Sequence, residues 1–118
     1  MKPVKIVTAL EPAGSIPVEF PEHTGIEPFT VPIIPLIDKA TMEAVDKWMA
    51  DENARREKDG RSGVTNYEMC EQLLKHVVDD ETAAKVAERP LGERLQLWDA
   101  WLSAALDGDD ELGESSDS

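Results

Sequence analysis

The chain has 118 residues, with 25 acidic and 12 basic side chains, and its formal net charge is −13. This length supports one small domain with one modest core. The charge argues strongly against nucleic-acid binding and against docking on an acidic membrane, because phosphates would repel the chain. No apolar run of about 20 residues and no secretory signal are present. The single cysteine, Cys70, fits a reducing compartment. The sequence therefore predicts a soluble cytoplasmic protein.

Composition divides the chain into three parts. Residues 1–37 hold most of the eight prolines, and their apolar residues are mostly β-branched. Residues 38–106 are helix-forming and carry nearly all the remaining apolar mass. Residues 107–118 have no basic residue and one large apolar side chain, so we expect a disordered acidic tail. The predicted fold class is mainly α, a small four-helix domain with an N-terminal β-hairpin.

Alternation of apolar and polar residues predicts short strands in the N-terminal part. One alternation runs through Val4, Ile6 and Thr8. Two others, at 16–20 and 29–34, flank a segment bracketed by prolines, which predicts an antiparallel hairpin. An isolated hairpin is marginal in water, so this one must pack on the helices or on a partner.

The first predicted helix covers 39–58 and begins after Asp38, a residue type that caps helix N-termini. Three ion pairs with the acid four residues before the base would each stabilise it by a few tenths of a kcal/mol. These pairs are Glu43–Lys47, Asp51–Arg55 and Glu52–Arg56, and the apolar stripe comprises Met42, Val45 and Met49, with Trp48 beside it.

Three further helices follow. The second opens at a capping box in which the side chains of Thr65 and Glu68 bond reciprocally to backbone amides. Its apolar face comprises Tyr67, Cys70, Leu73, Leu74 and Val77. A short third helix is predicted at about 81–88, after two aspartates that favour a helix N-terminus. The fourth begins at Pro90 and ends near Leu106.

The fourth helix has a wider apolar arc than packing on one side requires. One line of the arc comprises Leu91, Leu95, Trp98, Leu102 and Ala105, and a neighbouring line comprises Leu97, Trp101 and Ala104. Either this helix lies at the centre of the domain, or part of the arc binds a partner.

The three tryptophans are candidates for partner contacts, because tryptophan is enriched at interface hot spots. Core packing is the favoured interpretation for Trp48 and Trp98. For Trp101, core packing and partner contact are equally supported. The predicted partner-binding residues are Leu97, Trp98, Trp101 and Trp48.

Residues typical of catalysis or metal binding form no recognisable motif. His23 and His76 lie in separate segments and lack metal-ligand spacing. Cys70 falls on an apolar helix face, where a buried thiol is expected. The acidic residues at 107–111 lack the twelve-residue pattern of a calcium loop. We therefore expect no enzymatic activity, no cofactor and no metal.

The order of segments resembles that of the tail assembly chaperones of long-tailed, siphovirus-type phages that infect actinobacteria. The specific likeness lies in residues 91–118. It rests on the helix Leu95-Gln96-Leu97-Trp98-Asp99-Ala100-Trp101 and on the ending Leu112-Gly113-Glu114-Ser115-Ser116-Asp117-Ser118.

This resemblance implies a non-enzymatic protein of the host cytoplasm that is absent from the mature virion. It would bind the long, helical tape measure protein, keep it soluble and promote polymerisation of the tail tube around it. The resemblance also implies a longer form, made by programmed ribosomal frameshifting near Gly113-Glu114, that recruits the tail tube protein. Self-association through part of the apolar surface is a further expectation.

Two alternatives belong to other classes. The charge is compatible with an acidic DNA mimic that inhibits a nucleic-acid-binding protein of the host, although a mimic needs carboxylates spaced like phosphates along a rigid face. A structural head–tail component would instead be retained in purified particles.

Overall fold

In the computed structural model, which describes residues 3–104, a β-hairpin packs on four helices. Strand β1 (Ser15–Val18) pairs antiparallel with strand β2 (Phe29–Pro32), and the helices are α1 (Lys39–Lys58), α2 (Asn66–Val77), α3 (Asp80–Ala87) and α4 (Leu91–Ser103). Short 3₁₀ turns precede β1, close the hairpin loop and follow β2. The predicted mainly α fold with an N-terminal hairpin is confirmed. α4 ends at Ser103 and Ala104 is extended, so the predicted helix end near Leu106 is three residues too late. The predicted acidic tail lies outside the described residues.

The two prolines of the hairpin occupy positions where no ladder hydrogen bond is lost. The Ile33 N–H donates to the Gly14 carbonyl at 3.0 Å. The backbone N–H and C=O groups of every second residue, counted from this pair, therefore point toward the partner strand. Pro17 and Pro32 fall between those positions. Their missing N–H groups would point outward, and the ladder therefore stays intact while the outer edges lose donors.

The strand predicted through Val4, Ile6 and Thr8 is wrong. Residues 3–8 have no regular secondary structure, and Val4 and Ile6 are 83% and 75% exposed. A strand needs a neighbour with free donors and acceptors. The free edge of β1 is a poor neighbour for residues 3–8, because Pro17 has no N–H to donate. Alternation of apolar and polar residues alone does not provide a strand partner.

The hairpin loop is held against the helices. Gly25 has φ 74°, a left-handed conformation that favours glycine. Its carbonyl accepts a hydrogen bond from Lys85 Nζ of α3 at 3.1 Å, and the next residue, Ile26, is buried in the core. The hairpin thus packs on this chain's own helices, one of the two possibilities left open by the sequence.

Hairpin and helices share one hydrophobic core. The Trp98 and Trp101 rings of α4 stack in this core with centroids 6.4 Å apart. Trp101 is 0% exposed, and its Nε1 donates to the Pro32 carbonyl at 2.7 Å. Leu91, in contrast, is 58% exposed. α4 therefore contacts both the hairpin and α2, which explains most of its wide apolar arc.

The predicted helix caps are confirmed. The Asp38 carboxylate accepts from the Thr41 N–H at 3.1 Å, and the Asp79 carboxylate accepts from the Thr82 N–H at 3.4 Å. The capping box at 65–68 has both of its reciprocal bonds. These caps set the starts of α1, α2 and α3 where the sequence predicts them.

Of the ion pairs predicted on α1, only Glu52–Arg56 forms, at 3.0 Å. The two others are wrong, because Lys47 pairs with Asp51 at 3.0 Å and Arg55 pairs with Glu52. Arg56 also binds Glu68 of α2 through two hydrogen bonds. Arg56 thus has a second partner on another helix, and helical spacing alone cannot reveal that contact.

Trp101→Phe should lower the free energy of unfolding by about 1–3 kcal/mol, because it leaves the Pro32 carbonyl without its donor. Urea denaturation measures the loss. Trp98→Phe is the matched control, since Trp98 Nε1 has no hydrogen-bond partner among the described residues. Equal losses in the two variants would contradict a stabilising role for the Trp101–Pro32 bond.

Glu68→Gln should destabilise the protein at pH 7 by roughly 1 kcal/mol, a value reduced by the partial exposure of the pair. The hydrogen bond from Arg56, followed by that from the Thr65 N–H, lowers the pKa of Glu68 from 4.5 to about 2. A depressed carboxyl pKa stabilises the fold above about pH 4.5, and this stabilisation is lost as pH falls toward 2.

The difference in free energy of unfolding between wild type and Glu68→Gln should therefore shrink as the pH falls from 5 to 2. Urea titrations at several pH values measure it. Glu57→Gln is the control, since Glu57 forms no ion pair within residues 3–104. A difference that does not depend on pH would show that the charge of Glu68 contributes nothing.

Candidate partner-binding groove

A groove of about 380 Å³ separates the hairpin from α4. We name it the hairpin–α4 groove. One wall comprises residues 16–21 and 23–24, and the other comprises Glu93, Gln96, Leu97 and Ala100 of α4. Because these α4 residues recur every three to four positions, they share one side of the helix.

The floor and hairpin wall of the groove are largely apolar. Leu97 is 6% exposed and belongs to the core, while Ile16, Val18 and Phe20 are partly buried and pack against that core. The Ala100 side chain is a single methyl group on an exposed part of α4. Its small size keeps the groove open between the two walls.

The rim of the groove is acidic. Glu93 is hydrogen-bonded to Arg89, with Nε–Oε1 2.7 Å, and this bond lowers the pKa of Glu93. Glu19 forms no ion pair among residues 3–104. Among residues 3–104, the exposed His23 is the only basic side chain that lines the groove. The surface therefore combines apolar walls with one unpaired carboxylate, that of Glu19.

Of the four residues predicted to contact a partner, only Leu97 lines this groove. Trp98 and Trp101 are 1% and 0% exposed. This confirms core packing for Trp98, and it shows that Trp101, for which core packing and partner contact were equally supported, also lies in the core. The core interpretation favoured for Trp48 is wrong, because Trp48 is partly buried on α1 and is not packed against the core. Partner contact by these residues stays a prediction.

Sequence reasoning missed the hairpin wall, namely Ile16, Val18 and Phe20, and the small Ala100 opposite it. The available signal was the apolar face of the predicted hairpin. That signal does not say which helix lies beside the hairpin, because the spacing between Pro32 and Trp101 in the chain is 69 residues.

The described part of the chain contains no group of three or more His, Cys, Asp or Glu side chains placed to hold a metal ion. His23 and His76 are exposed on separate elements. Within residues 3–104, no helix combines the length and the apolar character that crossing a bilayer requires.

Cys70 is fully buried on α2. Burial, with smaller contributions from Asp99 and Glu71, raises the pKa of its thiol to about 12. Since the thiolate is the reactive form, a neutral buried thiol is a poor nucleophile. This position matches the prediction of a buried thiol on the apolar face of the second helix.

Comparison of the chain with known protein families, with curated proteins and with solved structures found no match.

Cys70 should react with a disulfide reagent roughly a hundredfold or more slowly in the folded protein than in urea, because the thiol is both buried and protonated. The absorbance of the released thiolate measures both rates. Rapid labelling of the folded protein would show that the contact between α2 and the core opens readily.

Proposed function

We propose that this protein is a tail assembly chaperone of a long-tailed phage. In this role it binds the helical tape measure protein and keeps it soluble while the tail tube polymerises around it. The proposal starts from the resemblance in residues 91–118. The observation that carries it is the hairpin–α4 groove, an open apolar surface beside a closed core.

A chaperone of this kind must cover apolar helical faces and still keep the complex in solution. Apolar surface that is left open in a folded domain is typical of binding sites. A strongly charged chain resists self-association and aggregation. The groove supports the first requirement, and the net charge of −13 supports the second.

The DNA-mimic alternative receives less support from the distribution of carboxylates. A mimic needs free carboxylates on a rigid face, whereas many described ones are engaged locally. Glu52, Glu68 and Glu71 form ion pairs with arginines, and Asp38 and Asp79 cap helices. The structural head–tail alternative is separated from the chaperone by whether purified particles contain the protein.

Co-expression with the tape measure protein encoded in the same genome should raise the soluble fraction of that protein and recover the two together. The complex should persist in high salt, because apolar contacts are not screened by ions. Sedimentation and affinity purification measure both effects. Binding only to a basic host protein, abolished by salt, would favour the mimic, and no recovery of the tape measure protein would overturn the proposal.

A second readout uses the gene with its natural downstream DNA. Intact-mass measurement should show a minor, longer product that shares residues up to Gly113-Glu114. Retention of the short form in purified particles would contradict the chaperone and favour a structural component.

A further inference from the structure

We infer that the hairpin–α4 groove binds an α-helix whose apolar face is flanked by Lys or Arg side chains. This inference rests on the proposed function and deepens it, since it names the surface that binds and the chemistry of the helix that this surface takes.

The dimensions of the groove match a short stretch of helix. Along α4, the seven residue steps from Glu93 to Ala100 span about 10 Å. Along the hairpin wall, the four steps from Ile16 to Phe20 span about 13 Å. Two turns of an α-helix are about 11 Å long. The groove therefore accommodates apolar side chains that recur at i, i+3 or i+4, and i+7 on one helix.

A β-strand is the less suitable occupant. An added strand would pair with the free edge of β1, which borders the groove. At this edge Pro17 has no N–H, and the outward Ser15 N–H already donates to the Pro12 carbonyl. The edge therefore lacks the donors that a regular ladder requires. Side-chain packing by a helix does not depend on them.

The charge of the rim selects a basic helix. Glu19 and Glu93 line the groove, and Glu22 and Glu27 in the hairpin loop form no ion pair among the described residues. Glu93 is already paired with Arg89, so Glu19 is the unpaired carboxylate among the described residues that line the groove. An acidic helix would be repelled here, whereas a Lys or Arg beside the apolar face would find the unpaired carboxylate of Glu19.

Synthetic peptides of about 18 residues, long enough for helix formation, test this inference. Two peptides share a leucine face and differ in whether Lys or Glu flanks it, and a third has the Lys composition in scrambled order. Each is titrated into the ¹⁵N-labelled full chain at about 0.15 M salt. The Lys-flanked peptide should bind about tenfold or more tightly than the other two and shift amide signals at 16–21 and 93–100.

Substitutions with matched controls locate the site. Ala100→Trp fills the groove, and Ala44→Trp adds the same ring at an exposed alanine of α1. Glu19→Lys reverses a rim charge, and Glu57→Lys makes the same change on α1. The two groove variants should weaken binding of the Lys-flanked peptide about tenfold, and the two controls should leave it within about twofold. Thermal unfolding verifies folding, and Glu19→Lys carries the test if Ala100→Trp unfolds.

Equal affinity for the Lys- and Glu-flanked peptides, signal shifts elsewhere, or equal effects of groove and control variants would overturn the inference. Its failure differs from failure of the proposed function. If Ala100→Trp and Glu19→Lys still recover the tape measure protein, the function stands and the groove is not its site. If the peptides bind in the groove but no tape measure protein is recovered, the groove stands and the proposed function fails.

Discussion

The contact between Trp101 and Pro32 joins the two halves of the molecule. The Pro32 carbonyl points away from β1, and a partly buried carbonyl without a donor would cost free energy. Trp101 supplies that donor at 2.7 Å and buries its ring against the hairpin. A two-stranded hairpin is marginal by itself, so the stability of β1 and β2 depends on α4 being in place.

The groove follows from the same contact. Trp101 fixes α4 against the end of β2, and the neighbouring Ala100 lies on the side of α4 that lines the gap next to β1. The large Trp101 fills the core, whereas the small Ala100 before it leaves the space of the groove. Leu97 serves both regions, because it is buried in the core and also forms part of the groove. Core packing and the candidate binding surface are therefore linked through one turn of α4.

Charge has two separate roles in this acidic chain. Glu68 completes the capping box of α2 and also binds Arg56 of α1, so one carboxylate starts a helix and holds two helices together. Glu19 beside the groove is unpaired among the described residues. Paired carboxylates stabilise the fold, whereas unpaired ones are available to a partner of opposite charge.

The sequence by itself determined the starts of helices, because caps such as Asp38 and the box at 65–68 act within four residues of chain. It also determined the place of the hairpin, because the alternation of apolar and polar residues and the loop between prolines are local features as well. Tertiary structure decided which apolar residues are buried. Leu91 is exposed although it follows the apolar spacing of the fourth helix, and Trp48, beside the apolar stripe of the first helix, lies outside the core. It also decided the ion partners of α1 and created the groove, because these depend on contacts such as Trp101–Pro32 between residues far apart in the chain.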